Sequence, residues 1–313
     1  MTDERSAALI LLASFNGGKY LEEQLASFLA QTYKRWNLLV SDDGSSDDTT
    51  DILAKFRAEV GSDHEVTIVS GPGSGCTDNF LSLIKRIPKG TSLVALSDQD
   101  DVWLPEKLEK GRIAIESATD GEQPVLYCAS SFICNETLDT RTASPAFRRD
   151  PSFENALVQS IGGGNTMMLN GPAIRLIQAA AQEVGDVVIH DWWIYQIITG
   201  CGGTVIRKDI PVLYYRQHDK NVIGANSSIR GKLHRILFVA GRQFSKWNEI
   251  NIAALSASRH RFTPEARKAL AYFSEARHGG LIKRLKALYR SGAVRQTSKG
   301  TLALYLACAT RKL

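Results

Sequence analysis

Three carboxylates fall within four residues where the apolar run SLVAL (92–96) meets SDQDDVW (97–103). Asp98, Asp100 and Asp101 are close enough to repel one another. A solvated turn tolerates that repulsion, and carboxylates favour helix N-termini, so an acidic turn capping a helix over LPEKLEKG is one reading. The other is that something positively charged belongs among them. A second acidic stretch, SDDGSSDD (41–48), also follows an apolar run, and two more loops, SFNGG (14–18) and SGPGSG (70–75), combine small, polar and glycine residues.

These loops have elements to position them. ALILLAS (8–14), WNLLVS (36–41), EVTIVS (65–70) and SLVALS (92–97) read as strands. Between them, YLEEQLASFLAQ (20–31), DDTTDILAKFRAEV (47–60) and DNFLSLIKRI (78–87) carry apolar residues at helical spacing. Ser45, Ser46 or Asp47 is expected to N-cap the second helix. This βαβαβαβ order predicts a parallel sheet covered by helices, with ligands beyond the carboxyl ends of its strands. All four loops follow strands and would converge on that edge. Glycines there permit positive φ and close backbone approach. Farther on, helices are expected over 104–117, 172–183 and 190–199, and strands over 124–134, 161–170 and 210–218.

With 313 residues, 43% of them apolar, the chain is long enough for a full core and one or two domains. It has no apolar run long enough to span a bilayer, and its first residues do not resemble a secretory signal, so a cytoplasmic location is expected. Five scattered cysteines without C-x-x-C pairs point to reduced thiols rather than zinc. Charge is uneven. Residues 1–229 carry 20 Lys and Arg against 30 Asp and Glu, whereas residues 230–313 carry 18 against 3, giving the net +5. A catalytic domain over 1–229 and a basic, mostly helical region over 230–313 are therefore expected, the latter facing an anionic partner.

The segment from ILLASFNGGKYLEEQ through SDDGSSDDT, followed by SDQDDVW, resembles the family-2 inverting glycosyltransferases of the GT-A fold, over about residues 8–220. SDQDDVW, HDWW and RQHDKNVIG are similar to the bacterial rhamnosyltransferase-like branch. The resemblance implies an α/β, Rossmann-like, mostly parallel sheet, a UDP- or dTDP-sugar donor, and Mn²⁺ or Mg²⁺. It also implies transfer of one sugar, rhamnose being the candidate, to a glycan or lipid-diphosphate-linked acceptor in surface polysaccharide synthesis. The Q-x-x-R-W signature of processive members is missing. A hard cation would let aspartates and a diphosphate share one pocket.

Residue by residue, the resemblance makes Asp100 the metal ligand, with Asp98 at the ribose or a metal-bound water. Asp101 would hold the loop or meet the acceptor. Asp43 would accept from a pyrimidine N3–H, while Asp42 is equally a turn residue. Phe15 would pack on the base, unless it packs in the core, and Asn16 would support its loop. Asn79 would line the nucleotide pocket or serve a helix N-terminus. Asp191 is the expected general base, unless it only N-caps the helix after it, and His190 stands where relatives carry an acid. His218 would be a further metal ligand or diphosphate contact, or structural. Arg216 and Lys220 would neutralise phosphate.

The tail LIKRLKALYRSGAVRQTSKGTLALYLACATRKL (281–313) has eight Lys and Arg and no acid. Leu281, Ile282, Leu285, Leu288 and Tyr289 recur there at helical spacing, as in a helix lying on an anionic membrane or packing on the catalytic domain. Peripheral binding to the inner membrane face follows from the first reading. No nucleic-acid motif is present. A metal-dependent phosphohydrolase or nucleotidyltransferase, or a non-catalytic nucleotide-sugar scaffold, are the competing functions.

Overall fold

The structure, a computed structural model, describes residues 7–119, 121–218 and 242–313. Two compact units interleave along the chain. Unit 1 takes Met1–Ala146, Gly162–Gln182 and Thr204–Asn221; unit 2 takes Phe147–Ile161, Glu183–Gly203 and Val222–Leu313. The expected boundary near residue 229 lies outside the described residues, as does Lys220.

Unit 1 is built on a nine-stranded sheet, counted over the described residues, in the order β3-β2-β1-β4-β8-β6-β9-β5, with β7 beside β6. Strands β1 (Ala8–Ser14), β2 (Trp36–Asp42), β3 (Val66–Ser70) and β4 (Leu93–Ser97) are mutually parallel where they pair. β1, β2 and β4 are apolar nearly throughout because both faces are covered, as parallel strands require. Helices α1 (Gly18–Leu29), α2 (Thr49–Val60) and α3 (Cys76–Arg86) make the crossovers. Register aligns the strand ends: Ser14 pairs with Asp42, Asp42 with Ser70, and Leu12 with Ser97. The four loops therefore leave the sheet from one edge.

The second half is mixed. β6 (Val125–Cys134) runs parallel to β9 (Thr204–Arg216), whereas β8 (Met168–Asn170) is antiparallel to both β4 and β6. A two-residue strand, β5 (Val102–Trp103), pairs with Tyr214 and Leu213 of β9. That pairing returns the end of β9 to the Asp98–Asp101 loop. β5 and β7 (Arg141–Ala143) are too short for periodicity to announce.

Helix α4 (Lys107–Ala118) starts two residues after Pro105. The predicted cap of α2 is corrected by one position: Asp48 is the N-cap, while Asp47 Oδ1 accepts from the Thr49 amide at 3.1 Å. The 161–170 segment is a strand only over its last three residues, after a short 3-10 turn at Gly164–Thr166. α6 (Gly171–Glu183) follows.

Unit 2 is helical, with α5 (Phe153–Ala156), α7 (His190–Gly200), α8 (Arg242–Ala257), α9 (Pro264–Glu275), α10 (Leu281–Ser291) and α11 (Ser298–Ala309). Gly200 lets α7 approach the rings of Phe153 and Phe262, since an added Cβ would stand 3.0 Å from each. Thr263 caps α9 ahead of Pro264, and Gly292, at φ 69°, ends α10 in the left-handed region.

Candidate active site

The loop after β1 exposes one aromatic. Phe15 is 54% exposed, and its peptide is held at both ends by Gln99: the Phe15 N–H donates to Oε1 at 2.7 Å, and Nε2 donates to the Phe15 carbonyl at 2.9 Å. Core packing of Phe15 is thereby excluded. Asn16 takes φ 48°, and its Oδ1 accepts from the Ser46 amide at 2.8 Å, tying the first loop to the second.

After β2, Asp42 accepts from Ser14 Oγ at 3.0 Å, from Ser45 Oγ at 2.6 Å and from the Ser45 amide at 2.9 Å, so it braces the turn. Asp43 is held differently. Its two carboxylate oxygens accept from the amides of Gly73 and Gly75, each at 2.7 Å. Both glycines have positive φ, and a Cβ on Gly71 would lie 2.6 Å from Asp43 Oδ1. The glycine-rich loop thus wraps a carboxylate of the protein itself. Each Asp43 oxygen keeps a further lone pair for an N–H donor. Asn79 is buried beside them, and its Nδ2 donates to the Ser41 carbonyl at 2.8 Å.

At the end of β4 the carboxylates part company. Asp100 Oδ2 lies 2.8 Å from His218 Nε2, although 118 residues separate them. His218 stacks on Tyr20 with centroids 5.1 Å apart. Tyr20 in turn donates to Glu136 Oε1 at 2.6 Å. Arg216, expected at the donor phosphates, is 3% exposed and spends its donors inside the protein. Its Nε meets the Asp100 carbonyl at 3.0 Å, one terminal nitrogen meets Glu23 Oε2 at 2.8 Å, and the other the Glu136 carbonyl. Its guanidinium also lies 4.6 Å from the Tyr20 ring centre.

Asp101 is fully buried and its hydrogen bonds run within the loop's own surroundings. It accepts from Asn165 Nδ2 at 2.6 Å and from the Arg216 amide at 3.3 Å. Burial drives its carboxyl well above the usual range, and repulsion from Asp100 and Asp98 adds to this. Lys107, also buried, donates to the Asn165 carbonyl at 2.5 Å and sits 3.1 Å above the Trp103 ring centre. Burial holds its ammonium well below the usual lysine range, against the pull of Asp101 and Asp98. The acidic stretch thus contains one carboxylate turned inward and two that stay half-buried, Asp98 and Asp100.

Asp191 belongs to unit 2. It is the second residue of α7, whose N-cap is Ile189, so it is not the cap itself. Asp191 is 7% exposed, and its neighbours Trp192 and Trp193 are buried; Trp192 Nε1 donates to the Ala156 carbonyl at 2.6 Å. His190 is buried, which lowers its imidazole to a pKa of about 3 and keeps it neutral. A cavity of about 430 Å³ in unit 2, lined by Asp186, Lys246, Glu249 and Ile250 among others, includes none of the expected site residues.

The donor chemistry at Asp100 fits a hard divalent cation. The 2.8 Å between Asp100 Oδ2 and His218 Nε2 is a hydrogen bond, and a cation held by both groups would take the place of its proton. No group of three or more acidic, histidine or cysteine side chains suited to a metal occurs among the described residues. Asp100 and His218, were both to hold such a cation, would leave positions for water and substrate phosphate, as Mg²⁺ sites usually have.

Gln99, Asn165, Lys107, Tyr20, Glu23 and Glu136 were not expected at the site. Gln99 stands inside the acidic stretch, and only its partner 84 residues away reveals its role. The charged helix start PEKLEKG gave no sign that Lys107 is buried.

The model of glycosyl transferase family 2 matches residues 9–173, more than half of the chain. A dTDP-rhamnosyl transferase, RfbG of Shigella flexneri, is 26% identical over 242 residues, which cover 75% of this chain and 81% of that protein. The Escherichia coli protein WfgD, a UDP-Glc:alpha-D-GlcNAc-diphosphoundecaprenol beta-1,3-glucosyltransferase, is 30% identical over 100 residues, 32% of this chain and 37% of WfgD. Among solved structures, S. aureus TarS 1-349 in complex with UDP-GlcNAc superposes with a TM-score of 0.57 at 13% identity, covering 98% of this chain and 88% of that one. The mannosyltransferase PcManGT of Pyrobaculum calidifontis, in complex with GDP-Man and Mn²⁺, gives 0.51 at 16% identity, covering 99% and 86%. These structural likenesses carry the fold, an α/β GT-A architecture with helices flanking the sheet and a helical C-terminal region. By its sequence match and its fold, the chain belongs to glycosyl transferase family 2.

Proposed function

We propose that the protein transfers one sugar, with inversion, from a UDP- or dTDP-sugar to a hydroxyl of a glycan or lipid-diphosphate-linked acceptor in surface polysaccharide synthesis. The observation that carries the reading is the Asp100–His218 pair, set at the sheet edge that also presents Asp43 and Phe15. Rhamnose as the sugar is supported by likeness to RfbG along most of both chains, and a lipid-linked acceptor by the shorter likeness to WfgD.

In this reading Phe15 packs its exposed ring on the pyrimidine and Asp43 accepts from N3–H. Asn16 and Gln99 hold Phe15 in place, Asn79 lines the pocket floor, and Asp98 faces the ribose. Asp100 and His218 would hold Mn²⁺ or Mg²⁺, which when bound supplies charge neutralisation for the departing diphosphate. Arg216 fixes the Asp100 main chain and brings one positive charge beside it. The acceptor oxygen attacks the anomeric carbon from the face opposite the leaving group. The bond to the nucleoside diphosphate breaks, and the acceptor proton passes to the Asp191 carboxylate. No helix among the described residues is long and apolar enough to cross a membrane. Peripheral attachment to the inner membrane face is therefore the proposed way of reaching a lipid acceptor.

Product analysis with UDP- and dTDP-sugars tests the reading. Nucleotide release that requires an acceptor and yields a glycoside of inverted configuration supports it. Formation of the nucleoside monophosphate and sugar 1-phosphate, equally fast without an acceptor, would make the protein a phosphohydrolase. Melting shifts with each nucleotide sugar, with and without Mn²⁺, identify the donor independently.

A further inference from the structure

We infer that the outward faces of α10 and α11 form one docking surface for an anionic phospholipid bilayer. Isolated apolar side chains on a protein surface need no explanation, but a cluster does. Five of the nine large hydrophobic residues exposed among the described residues lie in these two helices: Leu281, Ile282, Tyr289, Leu302 and Leu306. Ile282 is 81% exposed and Tyr289 76%, and their spacing of seven puts them two turns apart on one face. Leu302 and Leu306, one turn apart, are 62% and 58% exposed.

The helix already has a buried side. Arg284, Ala287, Leu288 and Ser291 of α10 face inward. Leu288, which the sequence groups with the apolar stripe, is fully buried, so α10 packs within unit 2 and still presents Ile282 and Tyr289 outward. The basic residues divide in the same way. Arg284 donates to the carbonyls of Cys308 at 3.1 Å and of Gly279 and Ala309 at 2.9 Å, locking α10 to the last turn of α11. Arg295 donates to the Val158 carbonyl at 3.0 Å, and Lys283 pairs with Glu275 at 3.3 Å. Lys286, Arg290, Lys299, Arg311 and Lys312 are exposed, as is Lys283 in its ion pair. Lys286 sits between Ile282 and Tyr289, at i+4 and i−3.

Aliphatic tips among long basic side chains suit a bilayer interface, where the tips enter the acyl boundary and the lysines reach headgroup phosphates. Tyrosine fits the same depth, having an apolar body and a polar end. Residues 281–313 contain no acid. A second copy of this face would therefore set like charges against each other, and isologous self-association is disfavoured. The use of the surface rests on the lipid-linked acceptor proposed above, but binding itself needs neither donor nor acceptor, so the two ideas can fail separately.

The test is sedimentation of the full chain, without nucleotide sugar, with phosphatidylcholine vesicles made with or without phosphatidylglycerol. The protein should pellet only with phosphatidylglycerol and be released by salt. The double variant Ile282→Ser, Tyr289→Ser should bind at least ~10-fold more weakly at an unchanged melting temperature, since both side chains are already in water. Lys286→Glu with Lys299→Glu should weaken binding by about 5-fold or more for each residue changed. Leu302→Ser with Leu306→Ser checks the same surface from α11. Failure of the wild type to bind phosphatidylglycerol vesicles, or wild-type binding by the apolar variants, would overturn the inference. So would a dimer in analytical ultracentrifugation that the apolar variant abolishes while vesicle binding stays absent.

Discussion

The side-chain amide of Gln99 makes two hydrogen bonds to the main chain of Phe15, accepting at 2.7 Å and donating at 2.9 Å. A residue between two aspartates of the acidic loop thus sets the position of an exposed ring on another loop. An added Cβ on Gly17 would lie 2.4 Å from Gln99 Oε1, so a side chain there would push the Gln99 amide off Phe15. Gln99→Ala removes both bonds, each worth about 1 kcal/mol, and should weaken binding of free UDP or dTDP by about 10-fold. Gln99→Glu keeps the acceptor, loses the donor, and should fall between. Calorimetric titration of the nucleotide alone reads this, and unchanged affinity in Gln99→Ala would remove Phe15 from the nucleotide site.

The Asp100–His218 pair carries a separate expectation. Asp100→Asn removes one charge at nearly constant size, and His218→Ala removes the imidazole. Each should lower Mn²⁺ affinity at least ~10-fold, as loss of one ligand does in a site with few protein donors. The free-ion Mn²⁺ signal in electron paramagnetic resonance measures this without any turnover. Wild-type affinity in both variants would exclude them as ligands.

The parallel half of the sheet was legible because strands buried on both faces read as unbroken apolar runs, as in ALILLAS and WNLLVS. The loops that end them were legible for the same reason, since polar residues resume where burial stops. What escaped depends on pairings distant in sequence. Arg216 comes to Asp100 only because Val102 and Trp103 pair with β9. β9 itself begins at Thr204, in a stretch whose Arg207, Lys208, Asp209 and Pro211 look like a loop. The glycine-rich turn after β3 reads as a place of close backbone approach, yet only the structure shows that its Gly73 and Gly75 amides are taken by Asp43. Lys107 looks like a solvated helix residue, and only the buried pair Asp101 and Asn165 explains its place.

Asp191, at the first turn of α7 among buried tryptophans, is the proposed base. Asp191→Asn keeps the shape and removes the proton acceptor. Turnover should fall at least ~10²-fold while nucleotide-sugar binding is nearly unchanged. A collapse of donor affinity in this variant would instead place Asp191 in the nucleotide site.

His190, next to that carboxylate in sequence, makes acid stability a further readout. Burial lowers its pKa from an ordinary 6.5 to about 3. Above pH 6.5 both folded and unfolded chains hold it neutral, and it has no effect on the balance. As the pH falls below 6.5 the unfolded chain binds a proton that the native state refuses, so stability declines until about pH 3. At pH 5 this one group should cost about 2 kcal/mol relative to pH 7. Carboxylates add their own pH dependence, so the comparison is between two profiles. In urea unfolding, His190→Gln should lose about 2 kcal/mol less than the wild type between pH 7 and pH 5, whatever its stability at pH 7. Parallel profiles would mean that the native imidazole takes up its proton at an ordinary pH. The site beside Asp191 would then admit a charge that its burial is expected to refuse.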